Sequence, residues 1–547
     1  MTELRPLILV RGFGGADVSD EQASPYQGFN EGTVYPNKRG ENYIYEGFVL
    51  RAFKSDRYRY HDATNVVGFY ADAVGAPPVD SDIAPDLLEG TVVLDPTVEA
   101  RVLSQGTAGT IWIYRYYDLR PRALESYGSG LVRLIELIER SAARHYEQFR
   151  GVDIVAHSMG GLVTREGVLA MHRQEPGSAK RRIHRIVTLG TPHRGIAFQR
   201  APDWLLRVLP KVNDASDEMA SFRPDSTRFL DWEDAFDTRR ILTVVGTDYR
   251  SYNIAVTTVL NRVATLFDEG HANYNRSDGL VKQASAQLPG APRTFVHKAH
   301  GGQDSLVTSR EAYEVSMRFF HARHRVALSL DSAKITRGGD WFGRSEFFFG
   351  VAIKPRYVDF ELFHQSVQAE NCYGPFRKAD LTDDLPDLAE ELRKPLAEYG
   401  DQTTGWAGPG RLIWEGWVDG GDKPPDVPGL VFRADVYVGE RDTFGIGFSD
   451  NVVFRKQYYV QVFPGATPQI FIHTGEHYLA GPYALELEQL QERAGDDHRS
   501  EIQRARPVES SPGEWTFEIG GTGFTARLRI KIETDSEATS PAAQTPS

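Results

Sequence analysis

The period of the hydrophobic and polar positions changes once along the chain, near His321. Before that point, short apolar runs alternate with stretches of helical period. In one such stretch Leu131, Leu134, Ile135 and Ile138 follow the i, i+3, i+4, i+7 spacing of an amphipathic helix. The apolar runs predict strands at Leu7–Val10, Ile111–Tyr117, Val152–Ala156, Ile186–Leu189, Ile241–Val245 and Thr294–Val296. Alternating strands and helices predict an α/β domain with a parallel sheet covered on both faces.

Beyond His321 the pattern becomes aromatic-rich and alternates with a period of two. In "WTFEIGGTGFTARLRIKIE", Phe524, Ala526 and Leu528 share one face, while Arg527 points the other way. Such strands, separated by Gly, Pro and Asp turns, predict an all-β antiparallel sandwich with one solvated face per sheet. We therefore predict an α/β domain at 1–322, a β-sandwich domain at 325–535 and a disordered tail at 536–547.

Composition and charge narrow the classes of partner. The 547 residues are 41% hydrophobic and 25% charged, as in soluble globular proteins. A formal net charge of −13 argues against a nucleic-acid partner and against tight adsorption to anionic membranes, although transient contact with a lipid surface stays open. The apolar runs are too short for a transmembrane segment or a signal-peptide core. We expect a cytoplasmic protein, or one secreted without a recognisable signal peptide, and leave its oligomeric state open.

Metal and cofactor motifs are weak in this chain. Its 15 histidines are scattered without a His-Glu-x-x-His pattern, and Cys372 is the only cysteine, which excludes an intramolecular disulfide. The stretch "LTDDLPD" is a candidate calcium-binding loop, but solvated acidic residues are the favoured interpretation. We predict no metal site and no cofactor.

A serine follows the predicted strand Val152–Ala156. In "VDIVAHSMGG", Ser158 lies between the small residues Ala156, Gly160 and Gly161. A serine on a sharp strand-to-helix turn needs small neighbours, because larger side chains would clash across the turn. Backbone strain of about 1–3 kcal/mol is usually kept where it serves a function. The pattern favours a nucleophilic serine over an ordinary turn.

Four ordered motifs carry a family resemblance. "AHSMGG", "VTLGTPHRG", "RSDGLV" and a later His-Gly look like those of serine lipases and esterases of the α/β-hydrolase fold. The groups most similar in pattern are bacterial true lipases and the phosphatidylinositol-deacylase-like and lecithin–cholesterol-acyltransferase-like enzymes. The resemblance covers about residues 5–322 and does not extend to the second domain. It implies a doubly wound, mostly parallel sheet and a catalytic triad in the order Ser, Asp or Glu, His.

The resemblance implies Asp278 as the acid and His300 as the base. Asp278 lies in the motif "NRSDGLV", whereas Asp248, at the end of the strand "ILTVVGTD", is the alternative acid. His300 precedes two glycines on the loop after the last strand, and His297, at the strand end, is the alternative base. For His193 in "TPHRG" a structural role is favoured over catalysis. Some of the resembling lipases hold a structural calcium near the catalytic loop, which makes Asp304 a candidate ligand, although a solvated acidic residue is the favoured interpretation.

Two backbone amides are expected to stabilise an oxyanion. One belongs to Met159, directly after the serine. The other, by resemblance, belongs to Phe13 in the loop "VRGFGG", where Arg11-Gly12 occupies the place at which lipases usually have His-Gly. Because the expected donor is a backbone amide, this change need not abolish activity.

The segment after "TPHRG" lies where the resembling enzymes have a lid, and we assign the lid region to about 196–240. Within "AFQRAPDWLLRVLPKV", an apolar face is formed by Trp204, Leu205, Val208 and Leu209. A lid over an acyl pocket and an ordinary packed helix both fit this face.

Together these features predict a serine ester hydrolase of the lipase or esterase type, a phospholipase being one form, that acts on an ester or lipid through an acyl-enzyme intermediate. An acyltransferase with the same triad is one alternative. A non-catalytic binding or adhesion protein on a hydrolase scaffold is the other, and the complete triad in order argues against it.

Overall fold

Two compact units make up the part of the chain that the computed structural model describes. The described residues are 4–12, 47–55, 58, 63–68, 92–93, 106–115, 124–193, 234–249, 277–302, 304–336, 345–356, 358–366, 368–369, 371–376, 412–418, 429–442, 451–463, 465, 467–479 and 483–534. The first unit comprises Met1–Pro292 and Lys298–Ser316, and the second comprises Arg293–His297 and Met317–Ser547. The domain bounds drawn from the sequence stay a prediction, and the tail at 536–547 lies outside the described residues.

The first unit contains a mostly parallel sheet. Its strands are β1 (Leu7–Val10), β2 (Ala63–Gly68), β3 (Val92–Val93), β4 (Ile111–Arg115), β5 (Val152–His157), β6 (Ile183–Leu189) and β7 (Ile241–Gly246). With β8 (Arg293–Val296) at one edge, they form an eight-stranded sheet in the order β3-β2-β4-β1-β5-β6-β7-β8. From β2 to β7 the neighbouring strands pair in parallel, whereas β2 and β3 are antiparallel. The predicted fold class of this region is confirmed.

Helices alternate with these strands. They are α1 (Phe48–Lys54), α2 (Leu124–Arg144), α3 (Met159–Gln174) and α4 (Ser178–Arg182), and a 3₁₀ turn covers Thr238–Arg240. Helix α5 (Arg310–His321) follows the last strand of the α/β region. The predicted apolar stripe on α2, from Leu131 to Ile138, is fully buried. Helices α2 and α3 pack closely, because a Cβ on Gly128 would lie 2.7 Å from the backbone nitrogen of Gly167.

The strands β1 and β5 occupy the centre of this sheet. Every residue of both strands is buried, including the charged Asp153. Continuous burial is expected where a parallel strand is covered on both faces, since neither row of side chains then reaches water. This is why the two strands read in the sequence as unbroken apolar runs rather than as alternating ones.

The second unit is built mainly from antiparallel strands. These are β9 (His324–Ile335), β10 (Ser345–Pro355), β11 (Phe363–His364), β12 (Tyr373–Phe376), β13 (Leu412–Val418), β14 (Leu430–Asp442), β15 (Asn451–Phe463), β16 (Gln469–His473), β17 (Ala494–Gly495), β18 (Ile502–Arg504), β19 (Arg506–Pro507), β20 (Glu514–Gly521) and β21 (Phe524–Thr534), of which β17 and β18 pair in parallel. A 3₁₀ turn at Glu476–Leu479 and helix α6 (Leu487–Arg493) lie between strands. The residues of β8 are grouped with this unit, and Phe295 lies 5.3 Å from Phe363, between ring centroids.

Two sheets pack face to face in this unit. One has the order β11-β10-β14-β15-β16-β18-β17, with β12 paired to β10, and the other has the order β13-β9-β21-β20-β19. Phe524 of the second sheet lies 6.0 Å from Phe349 and 5.0 Å from Phe454 of the first, between ring centroids. Phe524, Ala526, Leu528 and Ile530 are buried as their alternation predicts, and the all-β sandwich is confirmed.

Candidate active site

Ser158 lies on a sharp turn between β5 and α3. Its backbone has φ 52° and ψ −126°. Among the described residues, only Ser158 and Tyr146 combine a positive φ with a side chain. Such a conformation is strained for a residue with a Cβ, at a cost of about 1–3 kcal/mol. The amide of Ser158 donates a hydrogen bond of 2.9 Å to the carbonyl of Leu189, at the end of the neighbouring strand β6.

Small residues surround the turn because backbone and side chains approach it closely. A Cβ on Gly160 would overlap the carbonyl oxygens of Val10 and Arg11, and one on Gly161 would overlap the side chain of Thr191. Residues larger than glycine would therefore clash at both positions. This is the explanation that the sequence pattern suggested for the small neighbours of Ser158.

Ser158, His300 and Asp278 lie in one hydrogen-bonded chain. The Oγ of Ser158 lies 2.8 Å from Nε2 of His300. The Nδ1 of His300 lies 2.8 Å from Oδ2 of Asp278. Because a carboxylate only accepts, Nδ1 carries the hydrogen in neutral His300, and Nε2 is left to accept from the serine hydroxyl. The three residues are 8%, 3% and 1% exposed, respectively.

The Asp278 carboxylate is held by its own loop. Its Oδ1 accepts hydrogen bonds from the amides of Leu280, at 3.1 Å, and Val281, at 2.8 Å. With Oδ2 directed to His300, both oxygens have donors. Charge-assisted bonds of this kind fix the orientation of a buried carboxylate.

Two glycines at the ends of β6 and β7 make room for this pair. A Cβ on Gly190 would lie 2.8 Å from Oδ2 of Asp278 and 3.1 Å from Nδ1 of His300, and Gly190 has a φ of 55°. A Cβ on Gly246 would lie 2.6 Å from Cβ of Asp278. Sequence reasoning missed these two positions, although a glycine directly after each buried strand was the available signal.

The alternatives considered for the acid and the base make other contacts. Asp248 follows β7, and its amide donates to the carbonyl of Lys298 at 3.2 Å, while the Nδ1 of His300 is bonded to Asp278. His297 is grouped with the second unit, where its ring centroid is 6.2 Å from that of His364.

His193 is buried within the first unit. Its Nε2 lies 2.9 Å from Oγ1 of Thr188, and its carbonyl accepts from the guanidinium of Arg165 at 3.1 Å. Burial, and secondarily the charge of Arg165, hold the pKa of His193 well below its usual value. His193 therefore contacts the end of β6 through its ring and α3 through its backbone carbonyl.

The predicted oxyanion donors are described only in part. Met159 is the first residue of α3, and amides at this position have no acceptor within a helix. Phe13 lies outside the described residues, whereas its neighbour Gly12 is described, and a Cβ on Gly12 would lie 3.0 Å from Cβ of Ser158. The loop after β1 thus passes directly beside the serine.

The apolar lid residues Trp204, Leu205, Val208 and Leu209 also lie outside the described residues.

Among the described residues, no cluster of three His, Cys, Asp or Glu side chains has a metal-binding arrangement. Asp304, one candidate for calcium, pairs with Lys298 at 2.6 Å, and the stretch 381–387 is not described. None of the described helices is both long and apolar enough to cross a membrane.

Comparison with known proteins gives one family match, which lies within the first unit. Residues 119–228 match the family described as PGAP1-like alpha/beta domain. No protein of curated function matches the chain. The structure is similar to the mature lipase BlEst2 of Bacillus licheniformis, with 19% sequence identity, coverage of 47% of this chain and 91% of the lipase, and a TM-score of 0.27.

Two further solved structures are similar to this chain. The putative cell surface hydrolase of Lactobacillus plantarum WCFS1 is 12% identical, with coverage of 58% of this chain and 92% of the hydrolase and a TM-score of 0.28. Phospholipase PlaB of Legionella pneumophila is 11% identical, with coverage of 61% of this chain and 80% of the phospholipase and a TM-score of 0.26. The sheet order and the serine turn after β5 make the first unit an α/β-hydrolase fold.

Proposed function

We propose that this protein is a serine ester hydrolase of the lipase or esterase type, with Ser158, His300 and Asp278 as its catalytic triad. The observation that carries the proposal is the chain of two 2.8 Å contacts from Ser158 through His300 to Asp278. Its second support is the strained backbone of Ser158, which presents the hydroxyl at the start of a helix.

In the proposed reaction, the Oγ of Ser158 attacks the acyl carbonyl carbon while Nε2 of His300 takes its proton. Asp278 stabilises the imidazolium that forms. The amides of Met159 and Phe13 hold the negative oxygen of the tetrahedral intermediate. When this intermediate collapses, the carbon–oxygen bond to the alcohol breaks, and His300 returns the proton to the leaving alcohol. An acyl-serine remains.

The second half of the proposed reaction repeats these steps with water. His300 removes a proton from the water as it attacks the acyl-serine, a second tetrahedral intermediate forms, and the carboxylic acid is released as Ser158 regains its proton. Burial of the three side chains strengthens these interactions, because little bulk water competes for them.

We extend the proposal to esters with an apolar acyl group. The apolar face of Trp204, Leu205, Val208 and Leu209, in the predicted lid region, and the motif resemblance to lipases support this choice. A lid with such a face would shield the acyl chain from water.

The proposal is tested with p-nitrophenyl esters of increasing chain length and with a fluorophosphonate, which forms an oxygen–phosphorus bond to an activated serine as fluoride leaves. We expect ester turnover and a single phosphonate adduct, located on Ser158 by peptide mass spectrometry. Ser141→Ala is the matched control, because Ser141 is another buried serine of the same unit, in α2.

Ser158→Ala should lose both the turnover and the adduct, while Ser141→Ala should keep both. An adduct on another residue, or turnover by Ser158→Ala equal to that of the wild type, would contradict the proposed nucleophile. A folded wild-type protein with no turnover of any ester in the series and no adduct would contradict the proposed activity.

A further inference from the structure

His157, the last residue of β5, binds the backbone of the proposed base. It is 4% exposed, and its Nε2 lies 2.9 Å from the carbonyl oxygen of His300. Because a carbonyl only accepts, the Nε2 of His157 carries the hydrogen and donates it. The amide of His300 donates in turn to the carbonyl of Asp278 at 2.8 Å. Both backbone polar groups of His300 are therefore bound, one of them by the residue that precedes the nucleophile.

The other edge of the His157 ring meets the loop after β1. A Cβ on Gly12 would lie only 2.6 Å from the Nδ1 of His157. On the opposite side, the ring centroid of His157 is 4.9 Å from that of His300, with an angle of 39° between the planes. The ring thus fills the space between the loop that leads to Phe13 and the loop that carries His300.

The surroundings keep this ring neutral. Burial, then the neighbouring His300 and Arg11, hold the pKa of His157 well below its usual value, and these effects outweigh the bond to the His300 carbonyl, which raises it. In the neutral ring, the carbonyl of His300 selects the tautomer with its hydrogen on Nε2. The neighbouring imidazole of His300, in contrast, has the carboxylate of Asp278 at its Nδ1.

We infer that His157 is a positioning residue, which holds the backbone of His300 so that its Nε2 stays within hydrogen-bond distance of Ser158. The inference rests on the proposed function and goes beyond it, because His157 has no part in the triad. A displacement of the base by about 1 Å is enough to slow an oriented reaction by about 100-fold. We expect the effect on the chemical step, since His157 bonds the backbone of the residue whose ring moves the proton.

The test compares two substitutions of similar volume in the full-length chain. His157→Met removes the donor, whereas His157→Gln keeps an N–H near the position of Nε2. On a short, soluble p-nitrophenyl ester, we expect His157→Met to lower kcat about 10- to 100-fold with KM changed less than about threefold. His157→Gln should recover kcat to within about fivefold of the wild type, and the rate of phosphonate labelling at Ser158 should follow kcat.

His184→Met is the matched control, because His184 is also buried and bonded, through Nδ1, to Asp153 at 2.7 Å. His184 and Asp153 lie at the beginning of β6 and β5, away from the serine at the end of β5. We expect this variant to lower the melting temperature while kcat stays within about twofold of the wild type. If His157→Met does not fold, His157→Asn replaces it, because its amide is one methylene too short to reach the carbonyl.

Two results would overturn the inference. In one, His157→Gln has the same kcat as the variant that lacks the donor. In the other, the variant that lacks the donor has the kcat of the wild type. If the wild type is active and either result is obtained, the proposed function still stands. A folded wild type without esterase activity would instead contradict both the proposed function and this inference.

Discussion

The two units differ in where their interacting polar and charged side chains lie. In the α/β unit, Ser158, Asp278 and His300 come from three separate loops and are enclosed together. In the β unit, charged side chains pair across sheet faces that stay partly exposed. Arg529 bonds to Asp331 at 3.0 Å and to Glu514 at 3.1 Å, both on neighbouring strands.

This difference follows from sheet topology. The carboxyl ends of parallel strands lie at one edge, so the segments after β5 and β7, which carry Ser158 and Asp278, can gather residues that are distant in sequence. The loop after β8 brings His300 to the same place. In an antiparallel sheet, neighbouring strands end at opposite edges, and side chains interact mainly with their cross-strand neighbours. We conclude that the first arrangement favours a catalytic site, whereas the second favours pairs that stabilise the sheet.

The largest expected effect comes from replacing the proposed nucleophile of the α/β unit, and the buried thiol of the β unit serves for comparison. Ser158→Ala should lower kcat/KM for a p-nitrophenyl ester by about 10⁴-fold or more, because no acyl-enzyme can form. Cys372→Ala, which removes the buried thiol of the β unit, should leave kcat/KM within about twofold. Circular dichroism checks that both variants fold. A large loss in the Cys372 variant would show that the β unit takes part in the chemistry.

The next comparison sets two nearby histidines against each other. His300→Gln should lower kcat by about 10³- to 10⁴-fold, because the serine loses its base. His297→Gln should keep most of the activity, since His297 is grouped with the β unit and its ring lies beside His364. Steady-state kinetics on one ester decide between them, and the reverse ranking would reassign the base.

The acid offers a third pair. We expect Asp278→Asn to reduce kcat by about 10³- to 10⁴-fold, because an amide in place of the carboxylate stabilises the wrong tautomer of His300. Asp248→Asn, at the end of β7, should reduce it less than about threefold. The same ester assay measures both, and a similar loss in the two variants would mean that the acid is shared or misassigned.

The smallest expected effect is on stability, and it concerns His473 of the β unit. Burial lowers the pKa of His473 to about 4, against about 6.5 in an unfolded chain. Between these values the unfolded state binds more protons, so the free energy of unfolding falls as the pH drops from about 6.5 to about 4. The shift corresponds to at most about 3.5 kcal/mol.

His473→Gln should flatten this part of the pH profile in urea unfolding. His157 and His193, whose pKa values are also lowered, act in the same direction in the α/β unit, so their contribution stays in the variant. A profile for His473→Gln as steep as that of the wild type would mean that the histidines of the α/β unit account for the loss.

Much of the fold is determined by local pattern. The buried stripe on α2 and the strands β1, β5 and β7 follow from helical period and apolar runs, because burial acts on each segment separately. The strands β2 and β3, in contrast, were not predicted. Strand β3 has two residues, which is too few to carry any period.

The serine turn was also readable from sequence. Ser158 and its small neighbours lie within six residues, and the strain of the turn dictates those neighbours directly. The motif order narrowed the acid and the base to two candidates each.

Only the tertiary structure decided which candidates meet. His300 lies 142 positions from Ser158 and 22 from Asp278, so their contacts depend on how the loops after several strands converge. The same holds for the room left by Gly190 and for the bond from His157 to the carbonyl of His300. The physical reason is that a local pattern encodes the period and turn of one segment, whereas a contact between distant loops depends on the packing of all the segments between them.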